Sequence, residues 1–168
     1  MPVQFVRLIE LGAQPIMMPS SDDMVTGFED EYIGARLPED YREFLKTYNG
    51  VQFKTVVCYR CLETLYPGKN AMEGIVDWLY GLLGRENSRD LVYALDCFKQ
   101  DMPKGCLPIG ENIFGDQICI GTLGEQRGEI HFWDHDLDAS DGTMANLPLI
   151  ARTFDEFVNS FYVKPEHT

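Results

Sequence analysis

Cations are scarce in this sequence: 14 Lys and Arg stand against 27 Asp and Glu among 168 residues, a net charge of −13. A field of that sign repels phosphate backbones and anionic lipid surfaces, so nucleic acid and membranes are poor partners. Long hydrophobic runs are missing as well. No stretch approaches the ~20 apolar residues of a membrane-spanning helix, and the start Met1-Pro2-Val3-Gln4-Phe5-Val6-Arg7 lacks the basic and apolar regions of a secretory signal. A cytoplasmic protein is expected. The five cysteines, Cys58, Cys61, Cys97, Cys106 and Cys119, are odd in number, which points to reduced thiols rather than a disulfide framework. No GxSxG, P-loop, HExxH or dinucleotide-binding fingerprint occurs, so hydrolase and nucleotide chemistry have no positive support. Internal repeats and low-complexity segments are absent too.

What is present is an ordinary globular composition, 45% hydrophobic and 12% aromatic, sufficient for one domain spanning residues 1–168 around a sizeable core. Residues 3–11 alternate only loosely, and residues 12–26, with Pro15, Pro19, Ser20 and Ser21, read as a turn-rich connector. Tyr41, Phe44, Leu45 and Tyr48 then recur at i, i+3, i+4, i+7 behind Pro38 and before Asn49-Gly50, which predicts an amphipathic helix. Residues 51–57 and 74–81 read as strands, with a turn at Pro67-Gly68 between them. Asn87-Ser88 is placed to open a second helix carrying Leu91, Val92, Leu95 and Phe98, broken at Asp101-Met102-Pro103. Residues 107–109, 117–121 and 129–133 form an antiparallel meander, and Thr153-Phe154-Asp155-Glu156 is a capping box opening a last helix with Phe154, Phe157, Val158 and Phe161 inward. Together these predict an α+β domain, a mainly antiparallel sheet with helices covering one side.

Three constellations could carry chemistry. Cys58-Tyr59-Arg60-Cys61 is a CxxC after a strand, the arrangement of a thiol oxidoreductase, but residues 62–67 are too short for the helix such a site opens, and two buried thiols is the simpler reading. No second CxxC or CxxH exists to complete a zinc site. In residues 131–138, His131, Trp133 and His135 would share one face of an extended strand beside Asp134, Asp136 and Asp138. A calcium loop is excluded because Ala139 and Ala145 stand where it needs Gly and a bidentate Glu. No metal or cofactor is expected. Charge distribution is the third: no Lys or Arg falls between Arg7 and Arg36, where Glu10, Asp22, Asp23, Glu29, Asp30 and Glu31 lie, nor between Arg127 and Arg152, where Glu129, Asp134, Asp136, Asp138 and Asp141 lie. Brought together, two such segments would steer a basic partner protein.

Leu37-Pro38-x-Asp40-Tyr41-x-x-Phe44-Leu45-x-x-x-Asn49-Gly50 resembles the opening helix of the SUKH superfamily, which includes the yeast cell-wall assembly regulator and many bacterial immunity proteins. Trp78-x-Tyr80-Gly81-Leu82, the stretch from Leu107-Pro108-Ile109-Gly110 to Gly115-Asp116-Gln117-Ile118-Cys119-Ile120, the hairpin Gly128 to Asp136 and the helix at Thr153-Phe154-x-x-Phe157-Val158 are similar to later motifs of that family, in the same order. The resemblance covers a core of residues 30–162, with residues 1–29 as an extension, and departs from the pattern at Phe114, where a glycine commonly precedes Gly115-Asp116. It implies a non-enzymatic protein-binding domain, often an immunity protein that neutralises a cognate toxin such as a nuclease; a regulatory scaffold of the same fold is the alternative. The candidate contact residues are Asp134, Asp136, Asp138 and Asp141, with Asp116 and with Trp133 as an aromatic anchor.

Overall fold

The computed structural model describes residues 5–66 and 68–165. In chain order these form α1 (Val6–Glu10), β1 (Gln14–Pro15), α2 (Asp22–Phe28) continuing into a π-helical turn (Glu29–Ile33), and α3 (Glu39–Thr47). Strands β2 (Val51–Arg60) and β3 (Glu73–Leu79) follow, then α4 (Leu91–Phe98), β4 (Cys106–Glu111), β5 (Gln117–Gly121), β6 (Ile130–Trp133), β7 (Leu149–Ala151), α5 (Phe154–Asn159) and β8 (Tyr162–Val163). The predicted α+β class, with an antiparallel sheet, is what the chain forms. No helix among the described residues is long and apolar enough to cross a membrane. Of the expected turn at Pro67-Gly68, Pro67 lies outside the described residues, while Gly68 takes a φ of +79°.

The strands run in the spatial order β1 to β7, every neighbour antiparallel, and β8 pairs with β2 on the edge that β1 leaves free. The sheet curls until the chain leaving β2 reaches β7, where Leu62 N and Glu63 N donate to Ile150 O and Leu149 O at 3.1 and 2.9 Å. This nearly closes the sheet and covers the β7 edge. Strands β7, β8 and β1 were not predicted, because two or three residues carry no legible alternation. Their partners' edges hold them.

Amphipathic spacing explains α3 and α5. Tyr41, Phe44 and Leu45 turn inward from α3, and Phe154, Phe157 and Val158 from α5. Their rings interlock, with Phe44 and Phe154 centroids 5.0 Å apart and Phe157 edge-on to Phe161 at 4.8 Å. Each fully buried ring contributes roughly 1.5–3 kcal/mol of hydrophobic stabilisation. Thr153 caps α5 as predicted, accepting from Glu156 N at 3.0 Å; the Glu156 carboxylate reaches past it to Arg152 N at 3.2 Å. After α3 the backbone of Asn49 turns left-handed (φ +53°), and its amide brackets Leu82, with Oδ1 accepting from Leu82 N and Nδ2 donating to Leu82 O. The two backbones meet so closely that a Cβ on Gly81 would stand 2.3 Å from Asn49 O, which is why glycine precedes Leu82.

Two sequence expectations are corrected. Residues 12–26 are not all connector: Ser21 accepts from Met24 N and opens α2, whose Val25 and Phe28 join Phe5 and Leu8 of the N-terminal segment in the main core. With only two inward residues and Gly27 inside it, α2 has too little periodicity to be read locally. Helix α4 is capped by Asp90 instead of Asn87 or Ser88: one carboxylate oxygen accepts from Val92 N and Tyr93 N, the other from Leu83 N and Gly84 N. Beyond the helix-covered face, Met102, Cys106, Cys119, Trp133, Met144 and Leu147 form a second cluster on the opposite face, roofed by Phe98 of α4 and by the loop after β6. All five residues of β5 are therefore buried.

Candidate functional site

The hairpin turn between β4 and β5 is built on Asn112, whose Oδ1 accepts from Phe114 N and Asp116 N at 2.9 and 3.0 Å. Gly115 supplies the positive φ (+88°) that the turn requires. The turn delivers Asp116 to the interior, where it is 5% exposed. There it joins three segments: Tyr66 Oη and Asn112 Nδ2 donate to one carboxylate oxygen at 2.9 and 3.1 Å, and His135 donates to the other through its backbone N–H at 3.3 Å. His135 Nδ1 lies 2.7 Å from the same oxygen. Burial pushes the Asp116 carboxyl up, but the bonds from His135, Asn112 and Tyr66 outweigh it and hold it below the usual carboxylate range. The bond to Asp116 in turn raises His135.

A raised histidine binds protons more tightly in the native state, so its stabilisation is complete below the unfolded value near pH 6.5 and lost as pH rises through the native one. The lowered Asp116 acts the other way, contributing above about pH 4 and losing its effect as pH falls through its native value. His135→Gln is therefore expected to lose more stability at about pH 5.5 than at about pH 8.5. For a ring one-third exposed the gap is about 0.5 kcal/mol. Urea midpoints at the two pH values measure it, and equal losses would show that the pair does not stabilise through charge.

From this joint the loop after β6 projects Asp134, Asp136, Asp138 and Asp141. Asp134 Oδ1 accepts from Asp136 N, and Asp138 accepts from Ser140 N and Oγ, bonds that hold the Asp138 carboxyl below its ordinary value. Among the described residues no Lys or Arg nitrogen lies within 4 Å of these four carboxylates. The other acidic segment differs in four of its six acids, Asp23 and Glu31 having no such partner among the described residues. Glu29 is fully buried against Arg42, Asp22 pairs with Arg42 and Lys46, Asp30 with Arg36, and Glu10 with Arg7. Nor do the two segments merge: Arg36 O accepts from Arg127 ahead of β6, whereas Asp134 to Asp141 follow its other end.

Two further candidates are not on the surface. Asp116 is spent inside the joint, and Trp133, 1% exposed, packs edge-on against Phe98 and donates its indole N–H to Leu137 O at 3.0 Å. The exposed aromatic on this end of the sheet is Phe114 (68%), beside Ile113 (60%) at the hairpin tip. Sequence reasoning met Phe114 only as a departure from a family pattern. Strand β6 stops at Trp133, so His131 and His135 do not share a face: His131 is buried between Leu147 O and Glu129, and His135 turns to Asp116. Under the acidic loop, Tyr66, Trp133, Leu137 and Leu147 line a cleft of about 410 Å³ whose rim carries Asp134 and Asp138.

Asp116, Asp134 and His135 bring potential metal-ligand atoms within 4.8 Å of one another, but Asp116 and His135 already satisfy each other. The CxxC lies in β2 and just beyond it. Both thiols are buried and raised by that burial, Cys61 to about 12, and no helix begins there, so neither is poised as a thiolate.

The quoted motif segments fall on α3, β3, the β4–β5 hairpin, β6 and α5, the elements that build the curled sheet and its covering helices. The chain matches the SMI1 / KNR4 family (SUKH-1) over residues 19–160. It belongs to that family. The SUKH-1 match includes α2, which carries Glu29 toward Arg42. The chain is also similar to the SPbeta prophage-derived uncharacterized protein YokK of Bacillus subtilis (strain 168), 34% identical over 143 residues that cover 79% of this chain and 70% of that protein.

Proposed function

We propose that this SUKH protein is a cytoplasmic, non-enzymatic immunity protein that neutralises a basic toxin, such as a nuclease, by stoichiometric binding. The observation that carries the reading is the loop of Asp134, Asp136, Asp138 and Asp141. It is anchored to the fold by Asp116 and His135, has no Lys or Arg partner among the described residues, the one cationic neighbour being His135 at 3.5 Å from Asp136, and is set beside the exposed Phe114 and Ile113. Acids without Lys or Arg partners around apolar side chains suit a partner that is basic at its rim and apolar at its centre. A nuclease must present a basic substrate cleft, and an acidic protein can occupy that cleft or stand beside it. YokK is prophage-derived by name, which accords with an immunity role carried on mobile DNA.

The test is affinity capture from the native cell lysate with a salt series. Recovery of one basic domain at 1:1, released by salt, supports the reading; recovery of endogenous signalling or envelope proteins would replace it with regulatory scaffolding. Against the captured domain, Phe114→Ala is expected to weaken binding about 30-fold, the roughly 2 kcal/mol of an interface hot spot, while leaving the urea midpoint unchanged. Titration calorimetry measures the first effect, and unchanged affinity would put the hairpin tip outside the interface.

A further inference from the structure

We infer that the cleft beneath the acidic loop is a receptor for an arginine side chain of the partner protein. The inference rests on the proposed binding function and names the chemistry of its contact. Three observations converge. The walls are apolar and aromatic, formed by Tyr66, Trp133, Leu137 and Leu147, and the volume of about 410 Å³ lies in the range of sites that enclose a ligand group. The rim carries two carboxylates, Asp134 and Asp138, fixed in position by bonds to the loop backbone at Asp136 N and Ser140 N. Neither has a Lys or Arg partner within 4 Å among the described residues.

A side chain that satisfies both halves must be apolar along its stem and cationic at its end. Lysine and arginine both qualify, but the planar, weakly hydrated guanidinium can lie against aromatic faces while donating to two carboxylates, whereas an ammonium is a compact, strongly hydrated charge. The Tyr66 ring already has one cation for a neighbour, Lys69 Nζ at 5.9 Å from its centre, a residue that does not itself line the cleft. The floor is rigid. Trp133 is pinned by Phe98 and by its bond to Leu137 O, and Tyr66 by its bond to Asp116, so the cleft is formed before a partner arrives.

The probe is N-acetyl-arginine N-methylamide, titrated into the isotopically labelled protein and followed by NMR, with the citrulline and norleucine analogues as controls. Trp78 and Trp133 are the two tryptophans of the chain, so the indole region holds one reporter in the cleft and one reference outside it. Saturable shifts of the Trp133 indole and of the Leu137 and Ala139 amides are expected, with the Trp78 indole unmoved. The citrulline analogue, equal in shape but uncharged, should bind at least ten-fold more weakly. Asp138→Asn, on an exposed residue, should erase most of that difference, and adding Asp134→Asn the rest. Shifts that are absent, unsaturable or equal for arginine and citrulline would overturn the assignment. If a salt-sensitive 1:1 complex forms and yet arginine leaves the cleft unperturbed, the assignment falls and the immunity reading stands. If arginine saturates the cleft and no basic domain is captured, the receptor stands and that reading falls.

Discussion

Replacing Glu29 with alanine is expected to cost the protein about 3–5 kcal/mol, the loss seen when one partner of a buried ion pair is removed. Glu29 is fully buried in the π-helical turn after α2. Its carboxylate accepts from Arg42 Nη1 and from Leu37 N, the latter at 2.6 Å, so it joins the turn to α3 and to the chain entering it. Arg42 is itself buried, with 11% of its side chain exposed. Without Glu29 its guanidinium keeps only the surface carboxylates of Asp22 and Glu39, at 2.9 and 3.8 Å, and an N–H of the backbone loses its acceptor. Glu29→Gln should recover only part of that loss, since Arg42 Nη1 and Leu37 N donate to different carboxylate oxygens and the amide NH2 that replaces one of them cannot accept. Urea denaturation followed by tryptophan fluorescence gives both numbers. A loss below about 1 kcal/mol for the alanine variant would mean that Arg42 relaxes onto Asp22 and Glu39 and that the buried pair does not organise this corner.

The second large effect is kinetic. Changing Asp134, Asp136 and Asp138 together to lysine is expected to slow association with the captured basic domain by about 10–100-fold at low salt, because steering depends on the sign of the field at the contact face. The difference should shrink as salt rises, since the Debye length falls from about 10 Å at 0.1 M to about 3 Å at 1 M. Stability should fall by about 1–2 kcal/mol, since Asp134 and Asp138 lose the bonds they accept from Asp136 N and Ser140, which leaves the fold intact for the rate measurement. Stopped-flow mixing across a salt series separates this long-range effect from the local arginine contact, which the neutral Asn variants probe. An unchanged rate would place the interface on another face.

The contrast between these two sets of acids shows where sequence reasoning reaches. Glu29 and Asp134 look alike in the chain, each inside a cation-free acidic run. One is buried and neutralised by an arginine 13 positions away, and the other is partly exposed with no Lys or Arg near it among the described residues. Nothing local distinguishes them. Asp116 and Trp133 were legible as members of a motif but not as interior residues, since their burial depends on Tyr66, 50 positions from Asp116, and on Phe98 packing across the sheet. The short edge strands and α2 escaped for a related reason, being held by distant partners more than by their own patterning.

Helices α3 and α5, the β4–β6 meander and the family membership were readable because they rest on periodicities of two and 3.6 and on motif order, which neighbouring residues encode. Which acids stay in water, which aromatic reaches the surface and whether a cleft forms beneath the loop are properties of contacts between residues far apart in the chain. They took definite values only when the sheet curled, bringing β6, the hairpin turn and the Tyr66 segment against one another around a single buried carboxylate.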